Sequence, residues 1–240
     1  RTIYANIRKS VHYLLSTNFS EIEVMLGGIA SGMGQPLNPM QLLWINLATD
    51  IFPALALSLE PPDKDVMQLP PRPADEAIIT NEKLGRMALE SALISASALG
   101  AFLIGKSSGG LAKGSTLAFH SLTLAQLIHS TACRSDRYGL FNPASDKPRN
   151  HWLDMALGGT LALHLLTMVL PGFRRLLGTT PMGLRDLAVV VTAAVLPLLG
   201  NESIKAMRQH NSEPDDNNET GNETGNEAGN KKSSEQESPS

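Results

Sequence analysis

Along this chain, long apolar stretches alternate with short polar ones, and that alternation predicts the architecture. Six apolar runs fall at 3–29, 40–59, 84–104, 115–133, 152–171 and 184–204. Each is close to the ~20 residues that carry a helix across a hydrocarbon core of ~30 Å. A helix of this length resting on a soluble core would show a polar stripe along one face. The segments LALHLLTMVL and LAVVVTAAVLPLL show none. The pattern therefore predicts an all-α fold: a polytopic membrane helix bundle of six transmembrane helices, occupying 1–208. A disordered C-terminal tail, 209–240, follows. Its repeat NETGNETGNEAGN and its end KKSSEQESPS hold nothing that buries apolar surface.

Polar groups inside the apolar runs mark the candidate chemistry. The second run, MQLLWINLATDIFP, carries Asn46, Thr49 and Asp50. At about 100° per residue, positions i, i+3 and i+4 share a helix face, so three oxygen-bearing side chains point the same way. An aspartate within a membrane-length run is costly and reads by default as functional. Pro53 follows, removing a backbone hydrogen bond and opposing the carbonyl one turn back. Carboxylate, amide and freed carbonyl oxygens together form the ligand set of a hard cation. In the first run, Asn18 and Glu21 share a face, whereas Glu23 sits well round the helix from both. His120, His129 and His164 are scattered over two runs with no second donor on their own faces, so they read as structural hydrogen bonders. Cys133, at a run end, reads as a small apolar residue.

Charge and loops add orientation. The net charge of −3 argues against a nucleic-acid partner on bulk electrostatics. The single cysteine excludes an intrachain disulfide and any multi-cysteine metal site. Glycines at 27, 28, 32 and 34 with Pro36 predict a turn after the first run, and the proline-dense loop 60–81 is too stiff to be helix. Counted over alternating loops, thirteen Lys and Arg fall on one side and five on the other. Both termini and the loop 60–81 are thus expected in the cytoplasm. The chain opens at Arg1 without an initiator Met or signal-peptide pattern, as a piece of a longer protein would.

At this point the residues resemble a family. LLWINLATDIFPALALSLEPPDKDVMQLPPRP is similar to the sixth membrane helix and following loop of calcium-transporting P-type ATPases. RTIYANIRKSVHYLLSTNFSEI resembles their fifth helix, and QLIHSTACRS the end of their eighth. The resemblance implies that Asn18 and Glu21 are fifth-helix cation ligands and that Asn46, Thr49 and Asp50 are sixth-helix ligands. Gln126 falls where two-site calcium pumps place an acidic residue. A neutral amide there offers an oxygen but no charge, which weakens or alters the outer site and points to one ion per cycle or a different proton balance. Asn46 replaces the aspartate of sodium/potassium-type pumps and leans toward calcium, while manganese accepts similar donors.

The resemblance further implies a role as the C-terminal transport half of a pump, exporting or sequestering Ca2+ in exchange for protons. The carboxylates of Glu21 and Asp50 would repel in a dry bundle, so the empty site is expected to carry protons. The partners implied are the lipid bilayer and the N-terminal pump domains, whose phosphorylation domain would contact the loop 60–81 and which would use Mg2+ and ATP. The chain holds no Asp-Lys-Thr-Gly-Thr phosphorylation motif, so it is expected not to hydrolyse ATP by itself. The location expected is an integral, multi-pass one, in the plasma (inner) membrane if the source is bacterial. The alternatives are a Na+/K+, H+ or Mn2+ pump of the same superfamily, a stand-alone membrane channel, or a truncated remnant without ATPase activity.

Overall fold

A computed structural model of the chain describes residues 2–62, 78–134 and 149–210, with side chains as far as 204. Every element among these residues is a helix, as the apolar pattern predicts. Most of the proline-rich loop (63–77) and the expected disordered tail beyond 210 lie outside the described residues.

Helix α1 spans Thr2–Ala30. After the predicted glycine turn, α2 (Pro39–Trp44) starts at a capping box. Asn38 Oδ1 accepts from the Gln41 backbone at 2.9 Å, and Gln41 Oε1 accepts from the Asn38 backbone at 2.9 Å. The Asn38 amide also donates to the Leu177 carbonyl at 2.7 Å, tying this start to a distant segment. Asn38→Ala is expected to destabilise the fold by about 1 kcal/mol through the cap alone. Thermal unfolding in detergent checks this, and an unchanged midpoint would refute it.

The next turn, Ile45–Thr49, is π-helical, and α3 runs from Ile51 to Ser58. The Asp50 N–H donates to the Ile45 carbonyl at 3.0 Å, five residues back. The sequence places the break at Pro53, but the distortion lies one turn earlier. Pro53 itself sits in the first turn of α3, where its missing N–H is tolerated. One extra residue in the preceding turn relieves the clash between its ring and the Thr49 carbonyl.

The third and fourth runs form one continuous assignment, α4 (Asn81–Ala132), whose backbone breaks at Gly109 and Gly110. Gly110 has φ +79°, a left-handed conformation that glycine takes without strain. Residues 90 and 129 would lie roughly 58 Å apart on a straight helix, yet Glu90 Oε2 is 3.6 Å from His129 Nε2. α4 is therefore an antiparallel hairpin with arms 81–108 and 111–132. Near its bend the arms touch backbone to backbone: a Cβ on Gly105 would meet the Gly114 Cα at 2.8 Å. Helices α5 (His151–Val169), α6 (Pro171–Leu177) and α7 (Leu184–His210) complete the order.

Among the described residues, four helices are long and apolar enough to cross a membrane: Pro39–Ser58, Asn81–Ala132, His151–Val169 and Leu184–Ile204. Because α4 folds back on itself, the expected third and fourth crossings are its two arms. α1 has the length but not the apolarity, because its inward face is polar: Asn6, His12, Ser16, Thr17, Ser20 and Glu21 are all buried. Its outward face carries Ile22, Leu26 and Ile29, more than half exposed. A surface of exposed large apolar side chains around a partly polar interior suits a lipid surround. Small residues let α1 approach the hairpin closely. Ser95 Oγ donates to the Ser20 carbonyl at 3.0 Å, and Ser91 and Ser95 both donate to Glu23, at 2.9 and 2.8 Å.

Candidate cation site

Four of the expected ligands converge where α1 faces the broken helix and the second arm of α4. Glu21 is buried on α1, 6% exposed. Its Oε2 accepts from the Asn46 amide at 2.7 Å, across from α1 to the π turn. Its Oε1 faces the Gln126 amide at 3.5 Å. Gln126, 1% exposed, also points its amide at Ser20 Oγ (3.2 Å) and the Thr17 carbonyl (3.3 Å). Asp50, also 1% exposed, lies where the π turn passes into α3 and within Coulombic reach of Glu21. Its Oδ1 accepts from Tyr13 Oη at 3.3 Å.

The extra residue of the π turn is what sets Asp50 at this point. It rotates everything after Thr49 relative to a straight helix, and such bulges recur at functional sites. It also leaves Thr49 with a carbonyl that has lost its usual donor, since Pro53 has no N–H. Thr49 is buried and its hydroxyl donates to the Ile45 carbonyl at 2.7 Å. The hydroxyl oxygen keeps lone pairs for another partner.

Two acceptors in this cluster stand out. Asp50 Oδ2 and Gln126 Oε1 are buried side-chain oxygens that accept no hydrogen bond within 3.5 Å among the described residues, with the Thr17 hydroxyl beside the Asp50 carboxylate. Buried acceptors are nearly always paired, and an unpaired one carries its full desolvation penalty. Both oxygens belong to the set that a hard, oxygen-seeking cation would take.

Asn18 is placed differently from the other five. It lies on an exposed face of α1, and its amide donates to the carbonyl of Leu14 at 2.6 Å, on its own helix. Asn46 is also on the exposed side of the cluster. The apolar-run pattern missed Tyr13, because a tyrosine in the middle of a helix gives no signal until the fold sets it against Asp50. It also missed Glu90, a buried carboxylate within the run 84–104 that the cost of an intramembrane charge could have flagged. Of the three histidines, His120 and His164 meet, Nδ1 to Nε2 at 3.0 Å, across α4 and α5.

Comparison with known proteins gives one consistent picture. The family described as "Cation transporting ATPase, C-terminus" matches residues 34–207. A calcium-transporting ATPase of Bacillus subtilis (strain 168) is 34% identical over 82% of this chain, and the match covers 22% of that protein. Calcium-transporting ATPase 1 of Bacillus cereus (strain ATCC 10987 / NRS 248) is 31% identical over 88% of the chain and 25% of its own length. Calcium-transporting ATPase 1 of Schizosaccharomyces pombe (strain 972 / ATCC 24843) is 30% identical over 81% of the chain and 22% of its own length. The chain thus spans a quarter or less of these relatives.

Proposed function

We propose that this chain, which belongs to the family of cation-transporting ATPase C-terminal domains, is the transport half of an ATP-driven P-type pump that moves Ca2+ in exchange for protons. The observation that carries the reading is the pair of buried oxygens that accept no hydrogen bond among the described residues, Asp50 Oδ2 and Gln126 Oε1, beside Glu21 and the π turn. The names of the relatives, calcium-transporting ATPases, supply the ion.

In this proposal Glu21 and Asp50 supply charge, while Asn46, Thr49 and Gln126 supply neutral oxygens. Asn18 joins from the exposed face of α1. The Asn46 and Gln126 amides direct N–H groups at Glu21. With the cation bound, both amides rotate to present oxygen, and Glu21 exchanges two amide donors for one metal ion. The protons that neutralise the empty carboxylates leave as calcium enters, and protons return when calcium departs. Domains outside this chain would bind Mg2+ and ATP, and the phosphorylation domain would press on the loop 60–81. The bundle sits in a lipid bilayer with both termini cytoplasmic, which is the plasma (inner) membrane if the source is bacterial.

The test is ATP-driven 45Ca2+ uptake into vesicles carrying the full-length pump, with the ATPase rate profiled over Ca2+, Mn2+, Na+ and K+. Calcium-dependent uptake supports the reading. An ATPase that ignores calcium and responds to another cation removes it. Gln126→Glu adds a charged oxygen at the weak side of the cage and is expected to raise the calcium carried per ATP hydrolysed. Simultaneous uptake and hydrolysis measurements check this, and an unchanged ratio would mean that Gln126 does not limit ion number.

A further inference from the structure

A second cluster of ligating side chains lies apart from the cation cage, toward the end of the hairpin where α4 starts and stops. His12 comes from α1, Glu90 from the first arm of α4, His129 from the second, and Cys133 from the cap at its end. All four are buried. The ligating atoms of His12, His129 and Cys133 all lie within 4.8 Å of one another. Cys133 Sγ is 3.3 Å from His129 Nε2, and Glu90 Oε2 is 3.6 Å from His129 Nε2 and 2.6 Å from His12 Nε2. Ligand atoms on a tetrahedral zinc ion with ordinary N and S bond lengths stand about 3.3–3.6 Å apart. Two of the three distances already fall at this spacing. The third is a hydrogen bond that would widen once the ion replaced its proton.

We propose that His12, Glu90, His129 and Cys133 form a binding site for a divalent transition metal of the zinc class. Two imidazoles, one thiolate and one carboxylate are a borderline-soft set, which favours such an ion over Ca2+. Arg86 Nε holds the other Glu90 oxygen at 2.9 Å, aiming Oε2 at the histidines in the manner of an outer-shell partner. A thiolate and a carboxylate would cancel the ion's two charges, so the filled site is neutral within the bundle. Binding releases the Cys133 thiol proton and displaces the His12 proton from Nε2.

The site differs from the cation cage in chemistry and place. His12 is nine residues, roughly 13 Å, from Glu21 along α1. The metal would join α1 to both arms of α4. It would also restrain Tyr13, which follows His12 in sequence, stacks on His129 with ring centroids 6.5 Å apart, and bonds Asp50.

Co2+ titrated into the metal-stripped chain in detergent tests the site. One equivalent is expected to produce a thiolate-to-cobalt charge-transfer band with tetrahedral visible bands, and Zn2+ is expected to bleach both. Cys133→Ala, a small apolar replacement at a buried position, should lose the charge-transfer band while helicity by circular dichroism is kept. Asp50→Asn should retain it. His12→Gln provides a second variant, read by loss of the Zn2+-dependent rise in thermal midpoint expected of wild type. No band in wild type, a band that persists in Cys133→Ala, or one that disappears in Asp50→Asn would each overturn the proposal.

Discussion

ATP-driven calcium uptake by the full-length pump is expected to disappear when Asp50 becomes asparagine. The substitution keeps the shape and one of the oxygens but removes the charge that a divalent cation needs at a position only 1% exposed. Leaving a buried charge without its partner costs about 3–5 kcal/mol, which corresponds to a cation affinity lowered by roughly two to four orders of magnitude. The Tyr13 hydroxyl, which donates to Oδ1 at 3.3 Å, finds the amide oxygen in the same place, so the local fold should survive. The two observations to pair are 45Ca2+ uptake and calcium-independent phosphorylation by inorganic phosphate. Lost uptake with phosphorylation intact locates the defect in the cage. Uptake at the wild-type level would remove Asp50 from the ligand set, and with it the case for this cage.

Glu60→Ala is the second large effect expected, and it concerns stability rather than transport. Glu60 is 3% exposed at the end of the broken helix, where the loop 60–81 begins. Its Oε1 meets Arg134 Nη2 at 2.8 Å and Nε at 2.9 Å, and its Oε2 accepts from the Asn150 amide. Its backbone carbonyl accepts from the Asn6 amide at 2.6 Å. One residue thus ties α1, the broken helix, the end of α4 and the start of α5. Removing the carboxylate takes an acceptor from Arg134 and from Asn150, whose amide keeps the Ala56 carbonyl at 3.1 Å, at a cost of about 3 kcal/mol, the low end for a buried pair because Arg134 keeps some solvent contact. The unfolding midpoint of the chain in detergent, by heat or by titration with a denaturing surfactant, should fall clearly. Glu60→Gln, which keeps an acceptor for Asn150, should fall less. A midpoint unmoved by Glu60→Ala would show that this knot does not hold the helix ends together.

Much of this molecule is legible in its residues, and the reason differs from element to element. The apolar runs at 152–171 and 184–204 announce helices because no polar stripe runs along either and a lipid surround suits such a surface. The run 3–29 is less plain. Its polar face is buried and its apolar face exposed, so hydropathy alone underrates α1 as a crossing. For the cage, helical spacing puts Asn46, Thr49 and Asp50 on one side, and the resemblance to calcium pumps adds Asn18, Glu21 and Gln126. The π turn that separates Asp50 from its neighbours is invisible to that spacing, which assumes 3.6 residues in every turn. Asn18 shows the same limit. It shares a face with Glu21 by count, yet its amide folds back onto the Leu14 carbonyl.

By itself the sequence determined what local chemistry can determine: helices from runs of apolar residues, a turn after the first run from its glycines and Pro36, and a carboxylate too costly to bury without purpose. Only the tertiary structure decided which side chains meet. Glu21 and Gln126 are 105 residues apart in the chain and face each other at 3.5 Å, while His12 and Glu90, separated by 78, share a hydrogen bond at 2.6 Å. Such pairings depend on how α1 packs against both arms of a hairpin, and therefore on small residues, bends and one extra residue in a turn. Periodicity fixes a side chain's direction only about its own helix axis. The distance to a partner on another helix is set by packing, which no single stretch of sequence contains.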